Sequence, residues 1–230
     1  MSIYQPDLVD SKTRIAVFGS FYRGLSVLND LLTGTLSGKV MVVGVATDDP
    51  GQPFVSAHKR VWQYPHTDAE RHMVAARAQS AGVDVYTGSV KSEYFRSLVQ
   101  DTWQPDICIM ATFGQKIPKN VYAIPHRGFY NLHPCIDDAW PSHYAGCNPF
   151  KELLLDKQPY TQIAMHEVDD GFDTGKLIAY SDKVIIPPGV GVIDLHKLTA
   201  PVAARLACRE IENMIRTRKA HRAEVITCIA

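Results

Sequence analysis

Arg14-Ile-Ala-Val-Phe-Gly-Ser-Phe-Tyr-Arg-Gly24 is the stretch on which the reading of this chain turns. An apolar run stopped by glycine reads as a buried strand, and Leu25, Val27, Leu28, Leu31 and Leu32 then recur at roughly helical spacing up to Gly34. Strand, glycine-bearing turn and helix make a βα unit. Working outward, Val40–Ala46 reads as the next buried strand, residues 68–81 as a helix capped by Thr67 or Asp68 and stopped by Gly82, and Val83–Tyr86 as a short strand. A helix over Glu93–Gln100 and a fourth strand over Pro105–Ala111 follow. This alternation predicts a single α/β domain with a doubly wound, mostly parallel sheet, whose ligands gather beyond the carboxyl ends of the strands.

The later half continues the pattern. Gly128–Pro134 reads as a strand that Pro134 ends, residues 160–168 and 176–186 as two strands joined by an acidic loop, and Gly191–Arg216 as the last helix. The expected organisation is a polar leader over 1–12, one domain over 13–216 and a short basic tail over 217–230. No repeat or low-complexity tract divides it.

Composition narrows the function classes. The 24 Lys and Arg residues equal the 24 Asp and Glu residues, so no excess charge advertises nucleic acid or an anionic membrane, and a small-molecule partner is expected. Five scattered cysteines without a CxxC pair fit reduced thiols and a cytoplasmic setting. No basic start with an apolar segment behind it, and no run long enough to span a bilayer, is present. No ligand spacing points to a metal.

Gly19–Gly24 is neither GxGxxG nor a Walker loop, so it reads as a plain βα turn, with Arg23 available to an anionic part of a substrate. Strand alternation puts Asn131 and His133 on one face, with Leu132 opposite. Such a pair alone is more often structural than functional. The second loop, His166-Glu-Val-Asp-Asp-Gly-Phe-Asp-Thr-Gly175, adds carboxylates at Glu167, Asp169, Asp170 and Asp173, and it lacks the EF-hand pattern.

Three ordered segments together carry a resemblance: Thr112-Phe-Gly-Gln-Lys-Ile-Pro118, Phe129–Pro134 with Asn131-Leu-His-Pro, and Val168–Gly175 with Asp173-Thr-Gly. With Gly146-Cys-Asn-Pro-Phe150 they resemble the formyltransferases that use 10-formyltetrahydrofolate, a family that includes glycinamide ribonucleotide transformylase, the catalytic domain of methionyl-tRNA formyltransferase and the sugar N-formyltransferases. The resemblance implies a Rossmann-like formyltransferase fold and a catalytic set of Asn131, His133 and Asp173. It also implies that the pterin lies against Met110, Thr112, Phe113, Gly114 and Ile117 on one side, and against Val168, Asp169, Asp170, Gly171 and Phe172 on the other. Phe113, Ile117 and Phe172 would equally be apolar in any buried loop.

The residue types suit formyl transfer. An amine attacking the formyl carbon creates an oxyanion, for which Asn131 and His133 offer donors, while His133 can move a proton and Asp173 can orient it. The segment after Pro134, Cys135-Ile-Asp-Asp-Ala-Trp-Pro-Ser-His-Tyr-Ala-Gly146, is longer than is common in the family and lacks its arginine. That departure predicts an unusual acceptor, with Asp137, Asp138, Trp140, His143 and Tyr144 as candidate contacts. The Gly-x-Gly-Ser-Asn phosphate loop of glycinamide ribonucleotide transformylase is absent, and the chain ends at Ala230, where the transfer-RNA enzyme continues into a further domain. The expected acceptor is therefore a small amine, first a nucleotide-linked amino sugar, then an amine or hydroxylamine such as hydroxyornithine. A 10-formyltetrahydrofolate deformylase and a non-catalytic folate- or nucleotide-binding protein are the competing readings. A homodimer is compatible with the sequence and not required by it.

Overall fold

The structure is a computed structural model in which residues 12–55, 61–136 and 140–227 are described, the last ten of these in backbone only. Strand β1 (Thr13–Gly19) turns Ile15 and Val17 to one face of the sheet and Ala16 and Phe18 to the other, and all four are fully buried. A strand covered on both faces needs no polar alternation, which is why its sequence is continuously apolar. Helix α1 (Phe21–Thr33) begins directly after it. A Cβ on Gly24 would lie 2.6 Å from the carbonyl carbon of Gly19, so this glycine lets α1 start against the end of β1. Close packing accounts for the glycine without a phosphate.

Strand β2 (Val40–Ala46) runs parallel to β1. Helix α2 (Asp68–Ser80) is capped by Thr67, whose hydroxyl accepts from the Glu70 N–H at 3.1 Å while Glu70 accepts from the Thr67 N–H at 2.7 Å. This capping box contributes about 1 kcal/mol and explains why Thr67 rather than Asp68 is the cap. Strand β3 (Val85–Tyr86) is shorter than its sequence pattern, and helix α3 (Glu93–Ser97) gives way to a π-helical turn over Leu98–Trp103 instead of running to Gln100. That turn seats the Trp103 indole in the core, where its N–H reaches Asp84 at 2.7 Å.

Strand β4 (Ile107–Ala111), helix α4 (Lys119–Tyr122) and strand β5 (Phe129–Cys135) complete the parallel part. Pro134 does not end β5. The β4 ladder stops at Asn131, so the missing proline N–H has no strand to meet on that side. Helix α5 (Pro149–Leu155) leads to strand β6 (Tyr160–Glu167), which returns antiparallel beside β5. The strand expected over 176–186 is two: β7 (Leu177–Tyr180) and β8 (Val184–Ile185). At the break, Ser181 engages the backbone N–H and C=O of Ile163 through its hydroxyl and its own N–H. Helix α6 (Val192–Thr227) extends beyond the expected Arg216.

The sheet order is β3-β2-β1-β4-β5-β6-β7, with β8 paired to the start of β6. Strands β1 to β5 are parallel, and β6 and β7 are antiparallel. One face is covered by α1, α2 and α6 through Val27, Leu31, Val74, Ala204 and Ile211; the other meets Phe95, Trp103, Ile117 and Val121. Each fully buried side chain of this kind contributes about 1.5–3 kcal/mol. Chain order reverses between β1 and β4, and the carboxyl ends there open a crevice. None of the helices among the described residues is long and apolar enough to cross a membrane.

Candidate active site

Strand register assembles the centre. On β5, Phe129, Asn131 and His133 share one face while Tyr130 and Leu132 pack into the opposite core. Across the antiparallel ladder, Asn131 stands opposite His166, so His166 projects to the same side. Asp173 enters from the loop after β6, with φ +55, in a left-handed conformation that aspartate tolerates better than most residues.

One carboxylate oxygen gathers all three partners. Asp173 Oδ1 lies 3.0 Å from Asn131 Nδ2, 3.3 Å from His133 Nδ1 and 3.5 Å from His166 Nε2, and Oδ2 accepts the Gly146 N–H at 3.0 Å. Burial works to raise the Asp173 pKa, but the His166 contact, the charge that His133 takes up in acid and the Gly146 N–H outweigh it and hold the carboxyl down at about 2. Asp173 is therefore ionised at neutral pH.

Partner chemistry fixes the tautomers. A carbonyl only accepts, so His133 carries a proton on Nε2, 2.9 Å from the Tyr144 carbonyl, and His166 carries one on Nδ1, 2.7 Å from the Glu167 carbonyl. Burial pushes the His133 pKa below its ordinary value, opposed by the Asp173 charge and the Tyr144 carbonyl. The result is a neutral imidazole whose bare Nδ1 faces a carboxylate ready to hold it once protonated. Asn131 directs its amide nitrogen to Asp173 and, at 3.2 Å, to His166 Nε2.

A cleft spreads from this centre. Met110, Thr112, Phe113, Gly114 and Ile117 line one wall; Val168, Asp169, Gly171 and Phe172 line the facing one. Thr112 takes φ +61, a second left-handed residue at the cleft. Asp170 is outside the lining: its carbonyl accepts from Lys116 Nζ at 2.7 Å and its carboxylate from the Tyr122 hydroxyl at 2.7 Å, which ties the two walls together. Phe172 is not buried. It is 56% exposed on the rim, with Lys116 Nζ 4.6 Å above its ring.

The cleft also reaches Arg23, Asp48, Trp62, Asn148, Phe150 and His196. Asp48 accepts from the Ser20 hydroxyl at 3.0 Å and the Gly114 N–H at 2.7 Å, joining the ends of β1, β2 and β4 beneath the cleft. The segment after β5 sits differently from its expected role. Trp140 donates to the Gly175 carbonyl at 2.6 Å and lies against the His166 ring at 4.7 Å, outside the cleft lining. Tyr144 points its hydroxyl to Asp156 and Gln158, both at 2.9 Å, and contributes only its carbonyl to the centre. His143 is exposed and packs edge-on to Tyr144. Asp137 and Asp138 lie outside the described residues.

His166, Asp48 and His196 are the residues sequence reading missed. His166 was within reach: it sits in the quoted acidic segment, and aligning β5 with β6 as antiparallel neighbours sets it opposite Asn131. Among the described residues, no group of His, Cys, Asp and Glu has the arrangement to hold a metal ion.

Comparison with known proteins agrees with this architecture. The fold resembles a glycinamide ribonucleotide transformylase 1 from Symbiobacterium toebii, with a TM-score of 0.66, 21% identity, and coverage of 90% of this chain and 89% of that one. A formyltetrahydrofolate deformylase from Pseudomonas syringae pv. tomato is similar at a TM-score of 0.62 and 19% identity, over 90% of this chain and 63% of that one. The family model described as formyl transferase matches residues 13–201, so the chain belongs to the formyl transferase family. A curated methionyl-tRNA formyltransferase from Brucella suis is 27% identical over 146 residues, 61% of this chain; the match spans 44% of that relative's length.

Proposed function

We propose that the protein transfers the formyl group of 10-formyltetrahydrofolate to the amine of a small acceptor. The observation that carries this reading is the convergence of Asn131, His133 and His166 on one oxygen of Asp173 in the lining of the cleft. The apolar side chains of Met110, Ile117 and Val168, with polar backbone beside them, fit a flat heteroaromatic ring, so these two walls are the folate side.

In this reading 10-formyltetrahydrofolate supplies the formyl carbon. His133, neutral at rest, takes the proton of the attacking amine at Nδ1, and Asp173 stabilises the imidazolium so formed. The same proton then goes to the departing folate nitrogen, and His133 returns to its starting form. Asn131 donates to the oxygen that develops negative charge. Its N–H toward His166 is the longer contact and the one that a substrate oxygen displaces more easily; the one toward Asp173 is charge-assisted. His166 and Trp140 position Asp173 and the loop that carries it.

A nucleotide-linked amino sugar is the first acceptor to test, then hydroxyornithine, with initiator transfer RNA as a third arm. The assay follows tetrahydrofolate release spectrophotometrically. Release that requires one amine supports transfer and names the acceptor; release with no amine present means that water is the acceptor and the protein is a deformylase. His133→Ala is expected to bind the folate and lose transfer by about a hundredfold or more. Near-normal turnover in that variant overturns the mechanism.

A further inference from the structure

Arg23 is an unusual residue for the interior of an α/β domain. It lies on α1 with 3% of its surface exposed, lines the cleft beside Thr112, and makes no ion pair among the described residues. Its three hydrogen bonds are long and go to uncharged oxygens: 3.3 Å to Thr112 Oγ1, 3.4 Å to the Leu132 carbonyl and 3.5 Å to Thr199 Oγ1. Nε has no partner among the described residues. Burial lowers its pKa only to about 10, so the guanidinium stays charged at neutral pH.

A second orphan lies beside it. His196, on α6, is 8% exposed, lines the same cleft, and its Nδ1 has no hydrogen-bond partner among the described residues. Phe150 joins the two: the Arg23 Cζ lies 5.4 Å from its ring centroid and the His196 ring 4.8 Å from it. Buried charges are ordinarily paired, and buried polar atoms ordinarily bonded. Here a charged fork with a buried, unbonded Nε and an imidazole with a buried, unbonded nitrogen both belong to residues that line the cleft the ligand must enter.

We infer that Arg23 and His196 form an anion subsite, which selects acceptor amines bearing a carboxylate or phosphate. This rests on the formyl-transfer reading for the word acceptor, though anion binding itself does not. Arg23 bonds the carbonyl of Leu132, the residue between Asn131 and His133. An anion bound to its guanidinium therefore holds the amine of the same compact molecule close to the reacting centre, so that binding and orientation come from one contact. Arg forks match carboxylate and phosphate oxygens, and a partly dry site strengthens the contact. Asp48, which also lines the cleft, directs Oδ2 to the neutral donors of Ser20, Trp62 and Gly114; its charge opposes a bound anion, and the Arg23 guanidinium has to outweigh it.

The experiment titrates the full chain, without folate, with β-alanine, O-phosphoethanolamine and ethanolamine, reading imidazole NMR shifts and thermal stability. The expected result is that one or both anionic amines bind about tenfold or more tightly than ethanolamine, and that inorganic phosphate competes. Preference for β-alanine assigns a carboxylate, preference for O-phosphoethanolamine a phosphate. Arg23→Met should erase the preference. It should leave the ligand-free melting temperature unchanged or raised, because an uncompensated charge has been removed. Arg23→Lys, which keeps the charge without the fork, should retain a weakened preference, and it decides the matter if Arg23→Met does not fold. Equal binding of ethanolamine, or an anion preference that survives Arg23→Met, overturns the subsite. Anion binding without tetrahydrofolate release in any assay would instead overturn formyl transfer and leave the subsite standing.

Discussion

Two parts of the cleft lining are made from different materials. The proposed folate walls are built by two contiguous loops, 110–117 and 168–172, which present apolar side chains and backbone. The lining proposed for the acceptor is assembled from Arg23 on α1, Asp48 after β2, Asn148 and Phe150 at the start of α5 and His196 on α6, and it is rich in charge and imidazole. A loop that fits a flat ring with its backbone constrains a short stretch of sequence. A site drawn from several elements constrains single positions far apart, each free to change when the acceptor does. The difference lies in how much sequence each part fixes: a run of neighbours in the first, scattered single positions in the second.

Asp173 lines the same cleft, and its loss should have the largest effect. Asp173→Asn removes the charge that holds protonated His133 and should lower transfer by about two to four orders of magnitude, the range for disabling acid-base catalysis. Folate affinity should change little, because the folate walls are unaltered. The carboxyl sits at about 2 in the folded protein against an ordinary value of 3.8. Its contribution is thus present above the unfolded value, of order 2 kcal/mol, and is lost as pH falls through the folded value. Urea unfolding of wild type and variant at neutral pH and in acid tests this. Equal stability at neutral pH would show that the Asp173 contacts are not stabilising. Folate affinity falling in step with turnover would erase the division between the two parts.

Phe172 offers a sharper probe of the folate walls with a smaller effect. Its ring stands on the rim, braced by Lys116. Phe172→Ala should weaken folate binding by roughly three- to tenfold, the scale of a partly exposed aromatic contact, and leave turnover at saturating folate unchanged. Fluorescence titration gives the affinity. A variant with wild-type affinity removes Phe172 from the folate wall, and one with reduced turnover moves it into the chemistry.

What the sequence disclosed follows the same division. β1, β4 and β5 were legible because strands covered on both faces are continuously apolar, and the helical spacing of Val27, Leu28 and Leu31 marked α1. Asn131, His133 and Asp173 were legible through short motifs, which local order preserves. His166 became visible only with the β5–β6 register, a pairing between strands rather than a property of either. Arg23 was noticed as a cation in a turn, but its burial and missing counter-charge depend on α6 and Phe150 arriving from far along the chain. Trp140, His143 and Tyr144 drew attention as polar aromatics in a divergent segment. Their side chains brace the fold around the centre, because Gly175, Asp156 and Gln158 supply partners that sequence could not foresee.

The smallest effect links the two parts electrostatically. Burial is the main cause of the lowered His133 pKa, and the Arg23 charge adds to it, while Asp173 opposes both. The acid limb of kcat/KM should therefore lie below 6.5, since His133 must be neutral to accept the amine proton and only protonation inactivates it. Arg23→Met removes a neighbouring positive charge and should move that limb to higher pH, whereas Arg23→Lys should leave it near the wild-type position. Stability carries the same sign: the unfolded chain protonates this histidine first, so the folded state loses stability as pH falls below the ordinary value toward the folded one. A limb unmoved by Arg23→Met would mean that the acceptor lining does not reach the reacting centre through charge, and would confine its role to binding.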